Sequence, residues 1–495
     1  MLSIILLFLI IVSFGLFAVK YYVPKKRRRL LELGALVPTY KGCLPIIGHA
    51  YKLIGGSEQF WQNIQTLSKA TEDAGGVLAV RVGPSLQVFV NDPDDALTVL
   101  NTCLEKSYFY KMGSSWVGEG LITADVPTWK RNRKLLNPTF SQHVLDGFLV
   151  IFNEQSALLA QDLEPLAGAG MFDPREYFTE RTLETVCQTA VGISLDDKSV
   201  IDQKYKKAVE TAFDVLALRL ASFWLHPDFL YGLTSTKKLE DEAMATLQNM
   251  SRSVLYKRKA ERQQAKLANT SSRRFIAFLD LLLDMAEDGL FTDEQILEEL
   301  NTMIAAGHDT SARALSTILV LVGTYPEVQE KMYEEVMSVL GSSTDLDKED
   351  ITKLVYTEAV IKEALRISPV TPIIARDVEK EVKLKNYTLP AGSGCVVSLW
   401  GIHRLPIWGP DRFEFCPERW LDPASLPQSP GAYCAFSIGR RNCIGKTYAL
   451  MALKTMLVHL IRKFRVTADY SKVKRKFDLL LKFVAGHEIA LELRK

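Results

Sequence analysis

The stretch FSIGRRNCIGK, residues 436–446, is the most informative part of the chain. Its cysteine, Cys443, stands between Gly439 and Gly445 and just before a run with helical character that starts at Lys446. Backbone N–H groups at the start of a helix stabilise the negative charge of a thiolate, and thiolates are ligands for soft metals. A lone cysteine is more often a small core residue, but this frame favours a metal-binding thiolate.

The neighbours of this cysteine suit a flat metal cofactor such as haem. A glycine at 439 permits a tight turn, and a glycine at 445 lets the helix approach a flat ring closely. Arg441 offers a guanidinium that pairs well with a carboxylate such as a haem propionate. Phe436 can pack on the ring.

Length and composition describe a large globular protein. The chain has 495 residues, of which 47% are hydrophobic and 24% charged, enough for a sizeable core. The formal net charge of +2 gives no indication of nucleic-acid binding. Seven cysteines without a CxxC motif indicate reduced thiols in a reducing compartment. The alternative of a zinc site remains, although its residue spacing matches no structural zinc pattern; its ligands would be Cys416, Cys434, Cys443 and His403.

The amino terminus predicts a membrane anchor. Residues 1–19 are uncharged and apolar, and basic residues 25–29 follow. One alternative is a cleaved signal peptide, but this would carry its positive charge before the apolar run and not after it. Another is a basic tail that binds nucleic acid, but this would not explain the apolar run in front of the basic residues. We therefore expect a transmembrane signal anchor at residues 1–22 with a cytosolic body. A basic, proline-containing linker at 23–50 and one large domain at 51–495 should follow. In that topology the glycosylation-like triplets at Asn249, Asn269 and Asn386 stay unmodified.

The body reads as mainly α with a minor β portion. A long buried helix should begin at a capping box of Thr292 and Gln295 and end before Pro326. A second helix is expected over residues 351–368. Other segments are expected as follows: short strands near 77–92 and 383–400, an exposed charged helix end and loop at 256–274, and an ordered irregular loop at 406–430.

Further motifs in the right order make the chain resemble the cytochrome P450 superfamily along essentially its whole length. Residues 436–445 match the family's haem-ligand signature, and AGHDTS at 306–311 is similar to its oxygen-activating motif. The family's other signatures have counterparts in Glu363 and Arg366 (ExxR), Arg419 in PERW, Trp129 and Arg133 in WKRNR, and Arg376. EELNTMIAAGHDTS resembles the family-4 clan, and we expect a microsomal member of that clan from an insect.

The resemblance implies a haem-thiolate monooxygenase on the cytochrome P450 fold. Cys443 would be the axial ligand of haem b and the metal-binding residue. Thr310 would offer its hydroxyl on the distal side, unless that hydroxyl bonds back to its own helix, and Asp309 would help to bring protons. Gly307 would leave room beside the helix for oxygen. The remaining haem contacts implied by the family are Phe436, Gly439, Arg441, Gly445, Trp129, Arg133, Arg376 and Ala306.

Three further residues have a structural role in the family. Glu363, Arg366 and Arg419 resemble its ion-pair trio.

The electron donor is expected to be a separate protein. The chain shows no nucleotide-binding βαβ unit, so electrons should come from an NADPH-cytochrome reductase, with cytochrome b5 as an additional donor, at the endoplasmic reticulum membrane. A basic patch could face this partner or be an ordinary solvated surface; it consists of Arg131, Lys134, Arg440 and Lys446.

The chain departs from the family-4 pattern at two positions. Ala306 replaces the glutamate that in many members bonds covalently to haem, and Ala305 replaces a phenylalanine. We therefore expect non-covalent haem and a roomier pocket. Substrate contacts are expected from residues 105–125, 301–306, 370–374 and 479–484, which are mostly apolar and suit a lipophile such as a fatty acid, terpenoid, hormone, pheromone or xenobiotic. The alternatives are an isomerase or dehydratase on this fold and a non-enzymatic haem protein that binds lipophiles or senses a gas.

Overall fold

The computed structural model describes residues 25–192, 203–268 and 276–494. The anchor predicted at residues 1–22 lies outside these ranges. Within them, no helix combines the length and the apolar character needed to cross a membrane.

The described chain is mainly helical with a minor β portion, as predicted. In chain order its α-helices are α1 Lys25–Leu36, α2 Ser57–Asp73, α3 Pro93–Thr102, α4 Ser114–Val117, α5 Val126–Leu136, α6 Gln142–Gly147, α7 Leu149–Leu163, α8 Arg175–Val191, α9 Gln203–Ala221, α10 Asp228–Gly232, α11 Ser235–Ala268, α12 Phe278–Glu287, α13 Asp293–Thr324, α14 Pro326–Leu340, α15 Lys348–Lys353, α16 Val355–Ile367, α17 Leu399–Ile402 and α18 Lys446–Lys463.

The strands of the described residues form one four-stranded sheet and three antiparallel pairs. They are β1 Val77–Val82, β2 Ser85–Val90, β3 Ile373–Asp377, β4 Val382–Lys383, β5 Thr388–Leu389, β6 Gly394–Ser398, β7 Phe464–Thr467, β8 Lys474–Asp478, β9 Leu480–Ala485 and β10 Ala490–Leu493. The large sheet has the order β1-β2-β6-β3, in which β2 and β6 run parallel and the other neighbours antiparallel. The pairs are β4–β5, β7–β10 and β8–β9.

Helix α13 is the central helix of the largest apolar core. Its 32 residues extend about 48 Å. The predicted capping box is present, since Thr292 Oγ1 accepts the N–H of Gln295 at 3.3 Å and the Gln295 side chain accepts the N–H of Thr292 at 3.1 Å. From Ala312 onward nearly every residue is buried, and this half forms the centre of the largest apolar core. The helix therefore fixes the positions of whatever its first half carries.

The second predicted helix is divided in two, which differs from the continuous helix expected over 351–368. The break falls at Leu354, where α15 ends and α16 begins. Glu335 on α14 supplies the reason: its carboxylate accepts the backbone N–H groups of Tyr356 at 2.6 Å and Thr357 at 2.8 Å. A carboxylate from another helix thus caps a new helix start.

The described part of the linker predicted at residues 23–50, from Lys25 onward, is structured and partly belongs to the body. Val37 is buried in the core beneath the large sheet. Tyr40 donates its N–H to Ala79 O at 2.9 Å, and Gly48 forms an isolated bridge with Val82. The prolines and glycines that exclude regular helix here allow the chain to run along the edge of β1.

The charged stretch 256–274 is more ordered than predicted. Helix α11 continues through most of it and forms ion pairs with α12. Arg258 contacts Asp280 at 2.6 Å, and Lys266 contacts Glu287 at 2.8 Å. A charge run of this kind predicts a solvated surface, but within the described part of the segment the charges join two helices.

The predicted irregular loop at 406–430 is confirmed, with three short 3₁₀ turns. It is held by the buried carboxylate of Glu363, which accepts Arg366 Nη2 at 2.7 Å and Arg419 Nε at 3.0 Å. Arg366 also donates to the carbonyl of Arg412 at 2.7 Å and that of Glu414 at 3.0 Å. The predicted trio therefore anchors the loop that precedes the Cys443 stretch.

Candidate active site

The stretch around Cys443 is a tight loop pressed against α3. The Cys443 N–H donates to Phe436 O at 3.0 Å, which closes the loop. Gly439 has φ +75°, and a Cβ there would lie 2.7 Å from the carbonyl carbon and oxygen of Leu100. Both the backbone conformation and the contact require glycine at 439. Ser437 also has a positive φ, +59°, so the loop is strained on both sides of its turn.

The Cys443 thiol has the surroundings expected of a metal ligand. It lies deep among protein atoms, yet its surface is accessible. Burial raises its pKa, while a hydrogen bond from the Gly445 N–H and the charges of Arg133 and Lys446 act in the opposite direction. The net direction is upward. Coordination to a metal cation would favour the ionised form.

The alternative zinc site is not formed. No group of three or more His, Cys, Asp or Glu side chains within the described ranges is arranged to hold a metal ion. His403 instead accepts the N–H of Cys434 at 3.0 Å, and both residues are fully buried. All seven cysteines are free thiols in this structure.

Arg441 lies beside the loop with most of its hydrogen-bonding capacity unused. Its Nη2 donates to Ala124 O at 2.9 Å and Asp125 O at 3.3 Å. Its Nε and Nη1 are buried and have no partner among the described residues. The guanidinium carbon lies 4.6 Å from the ring centre of Trp129 on α5, a cation–π contact that fixes its orientation.

Two more basic side chains share this region: Arg376 is buried and Lys106 is half-buried. Arg376 on β3 is 2% exposed, and its Nε also lacks a partner among the described residues. Lys106 donates to Ile122 O at 2.7 Å. Burial and the charges of Arg376 and Arg441 lower the pKa of Lys106 well below its usual value, and burial chiefly lowers that of Arg441 to about 10. None of the three cations forms an ion pair with a described residue.

Buried cations without counter-charges are unfavourable unless an anion neutralises them. The two carboxylates of haem have the charge and the acceptor geometry that these free N–H groups need. The residues present therefore fit haem. The thiol at the start of a helix suits its iron, and the three basic side chains suit its carboxylates. Phe436 packs at the edge of the main core and Gly445 immediately precedes α18, both adjoining the thiol.

Lys106 is a site residue that the sequence analysis missed. A backbone bridge pairs it with Arg376, although the two are far apart in the chain. The only sequence signal was a single basic residue at the edge of the predicted 105–125 substrate segment.

Arg133 has partners other than the predicted propionate. Its Nη1 and Nη2 donate to the backbone and side-chain oxygens of Asn442 at 2.8 and 3.0 Å, and its Nε donates to Asn137 Oδ1 at 2.8 Å. In this structure Arg133 holds the Cys443 loop against α5.

The middle of α13 carries the predicted distal residues. The Thr310 hydroxyl donates to Ala306 O at 2.7 Å, the back-bonded arrangement considered as the alternative. Asp309 pairs with Arg313 at 2.7 Å, one turn further along the helix. The charges of Asp309 and Arg313 also act on the half-buried Lys482 of β9, so a cluster of charged groups adjoins this turn.

Gly307 has a role in helix packing, and its predicted role beside oxygen stays a prediction. A Cβ at this position would lie 2.9 Å from Val186 Cγ2 on α8. The missing side chain therefore permits close approach of α8 and α13. The expected role was to leave room for oxygen.

The four predicted substrate segments meet in pairs. Asn301 donates from Nδ2 to Trp116 O at 3.3 Å, which joins residues 301–306 to residues 105–125. The N–H of Leu481 donates to Val370 O at 2.9 Å, which joins the other two segments. Trp116 also contacts Phe213 of α9 edge to face, with 5.4 Å between ring centres.

Comparison with known proteins agrees with this arrangement. The family model described as Cytochrome P450 matches residues 38–488. The chain is 32% identical to "Cytochrome P450 4c3" of Drosophila melanogaster, over 92% of this chain and 88% of that protein. It is 32% identical to "Cytochrome P450 4c21" of Blattella germanica, over 95% of both chains. It is also 32% identical to "Cytochrome P450 4V2" of Homo sapiens, over 88% of this chain and 85% of that protein. The chain therefore belongs to the cytochrome P450 family, as a family-4-like haem-thiolate monooxygenase with haem b as its cofactor.

Proposed function

We propose that Cys443 is the thiolate ligand of the haem iron and that Arg441, Arg376 and Lys106 neutralise the haem carboxylates. The observation that carries this proposal is the unpaired N–H groups of Arg441 and Arg376, buried near the thiol-bearing loop. Thiolate-bound haem iron, once reduced, supplies the activation of O₂ from which one oxygen atom is inserted into a substrate. The polypeptide supplies binding, orientation and protons.

Thr310 and Asp309 are proposed to handle those protons. Because the Thr310 hydroxyl gives its hydrogen to Ala306 O, its oxygen lone pairs are free to accept a hydrogen bond from water. Asp309 is 13% exposed and held by Arg313, so it can exchange protons between solvent and the helix turn that carries Thr310.

The substrate is proposed to be a lipophilic small molecule. The segments that meet around α13 contribute mostly apolar side chains, including Trp116, Val117 and Leu121 from the 105–125 segment. Ala305 and Ala306 leave more room than the bulkier residues of the family-4 pattern. A fatty acid derivative, terpenoid, hormone, pheromone or xenobiotic fits this description.

The enzyme is proposed to sit on the endoplasmic reticulum membrane with its body in the cytosol. The apolar residues 1–19 followed by basic residues 25–29 support an anchor. A second indication comes from large apolar side chains exposed within residues 218–233, which are Leu218, Trp224, Phe229, Leu230 and Leu233.

Electrons are proposed to come from an NADPH-cytochrome reductase, with cytochrome b5 as a further donor. Support comes from the exposed basic side chains Arg131, Lys134, Arg440 and Lys446, two of them from the Cys443 stretch itself. A positive surface would steer an acidic electron-transfer partner toward the ligand side of the haem.

The proposal is tested by incubating the haem-loaded protein with reductase, NADPH and a panel of fatty acids, terpenoids and plant toxins. Mass spectrometry should detect products that are 16 mass units heavier than one of these lipophiles and that require NADPH. Arg440→Glu should slow turnover with reductase, and Lys69→Glu, at an exposed position of α2, serves as the matched control. Product formation that needs no reductase or NADPH would contradict the proposal.

A further inference from the structure

Glu299 is a fully buried carboxyl on α13, two helical turns before Ala306. Its Oε1 accepts Asn132 Nδ2 at 2.9 Å, and its Oε2 accepts the N–H of Leu121 at 3.2 Å. No basic side chain of the described residues forms an ion pair with it. A carboxylate buried in this way is stabilised by hydrogen bonds alone.

The two donors belong to the parts of the chain that hold Arg441. Leu121 lies in the segment 118–125, whose Ala124 and Asp125 carbonyls accept Arg441 Nη2. Asn132 lies on α5, one turn after Trp129, whose ring lies against the Arg441 guanidinium. Glu299 thus ties α13 to the support of Arg441.

Segment 118–125 packs directly against α13, and side-chain atoms added at its glycines would overlap with the helix. A Cβ at Gly118 would overlap the Glu298 carboxylate, and one at Gly120 would overlap the Thr302 hydroxyl. The Glu119 N–H donates to Glu298 Oε1 at 3.1 Å. The Glu299 carboxyl is therefore sealed from water as long as the segment is closed.

We propose that Glu299 is a positioning residue whose protonation state sets how tightly segment 118–125 closes on α13 and how firmly Arg441 is held. When Glu299 is ionised, its charge is buried without a neighbouring cation in the closed state. Opening the segment lets water hydrate this charge, which favours the open state. When Glu299 is protonated, opening gains much less from hydration. Closure is therefore favoured as the pH falls, and loosening is favoured as the pH rises.

The charges around Glu299 agree with this direction. Burial raises the pKa of Glu299 to about 7, and the neighbouring charge of Glu298 adds to this effect. On the segment, Glu119 contributes a further carboxylate. On α5, Arg131 donates to Asn132 Oδ1 at 3.0 Å and not to the carboxyl. With a pKa of about 4.5 when open and about 7 when closed, the opening equilibrium constant should rise roughly tenfold from pH 6 to pH 8.

Hydrogen exchange of the haem-loaded protein tests the closure. Peptides covering residues 118–125 should show an opening constant, corrected for intrinsic exchange, that rises about tenfold from pH 6 to pH 8. Glu299→Gln, which is neutral at every pH, should abolish this rise. Glu294→Gln, a change at an exposed carboxyl of the same helix, should retain it. A pH-independent wild-type protein, or a Glu299→Gln variant with the wild-type slope, would overturn the proposal, and the wild-type measurement stands even if the variant fails to fold.

The link to Arg441 rests on the proposed role of Arg441 toward the haem carboxylates and is measured separately. Haem transfer to excess apomyoglobin should accelerate several-fold from pH 6 to pH 8 in the wild type and in Glu294→Gln, but not in Glu299→Gln. Equal pH dependence in all three proteins would refute the link to Arg441. Failure of the proposed thiolate ligand would appear in the CO spectrum and not in these slopes, so the two failures are distinguishable.

Discussion

Replacing Glu363 with alanine should destabilise the protein more than any change at a surface ion pair. The carboxylate is fully buried and accepts five hydrogen bonds; the donors are Arg366 through two nitrogens, Arg419, Trp420 and the backbone N–H of Cys416. Glu363→Ala would leave two buried guanidinium groups without this counter-charge. Breaking a buried pair in this way costs about 3–5 kcal/mol, a large share of the roughly 5–15 kcal/mol that stabilises a typical domain.

Two measurements check this expectation: the midpoint of urea unfolding followed by tryptophan fluorescence, and the haem absorbance per mole of purified protein. Both should fall sharply in Glu363→Ala. Glu363→Gln keeps the side-chain volume but turns an N–H₂ group toward the donors. Its unfolding midpoint and haem content should therefore lie between those of the alanine variant and the wild type. Asp73→Ala removes the exposed partner of Lys69 and should leave both quantities nearly unchanged. A Glu363→Ala variant with wild-type haem content and unfolding midpoint would refute the reasoning.

Three further changes probe the Cys443 loop, the buried cation Arg441 and the hydroxyl of Thr310. Gly439→Ala should lower stability by at least about 1–2 kcal/mol, because its φ is positive and the new Cβ meets the Leu100 backbone; a thermal melt that matches wild type would contradict this. Arg441→Met should speed haem transfer to apomyoglobin about tenfold to a hundredfold, the effect of losing a charge-assisted hydrogen bond of roughly 1.5–3 kcal/mol; an unchanged rate would argue against a haem contact. Thr310→Val should leave folding and haem content intact, since the hydroxyl bonds only to Ala306 O, but should divert NADPH electrons to hydrogen peroxide; unchanged product per NADPH would remove Thr310 from proton handling.

The parts of the fold that sequence predicted well rest on local chemistry. The start of α13 follows from two side chains three residues apart, Thr292 and Gln295, which satisfy each other's backbone groups. The contact between Glu363 and Arg366 likewise follows from helical spacing. The turn at Gly439 was expected from its position before the cysteine, because only glycine adopts that conformation readily.

The features that sequence did not predict depend on contacts between distant segments. The break between α15 and α16 is made by Glu335, on another helix. Lys106 becomes part of the site only because Arg376 and Arg441 are folded next to it. Gly307 could not be assigned to helix packing until α8 placed Val186 against it. Periodicity and motif spacing contain no information about such partners.

The most direct test of the account is the absorption spectrum of the reduced protein with carbon monoxide bound. If Cys443 is the iron ligand, folded and haem-loaded protein should show the strongly red-shifted Soret band that a thiolate ligand produces. Cys443→His should bind haem without that band, since an imidazole replaces the thiolate. A folded wild-type protein that lacks the red-shifted band, or a Cys443→His variant that retains it, would contradict the central claim that this cysteine holds the catalytic iron.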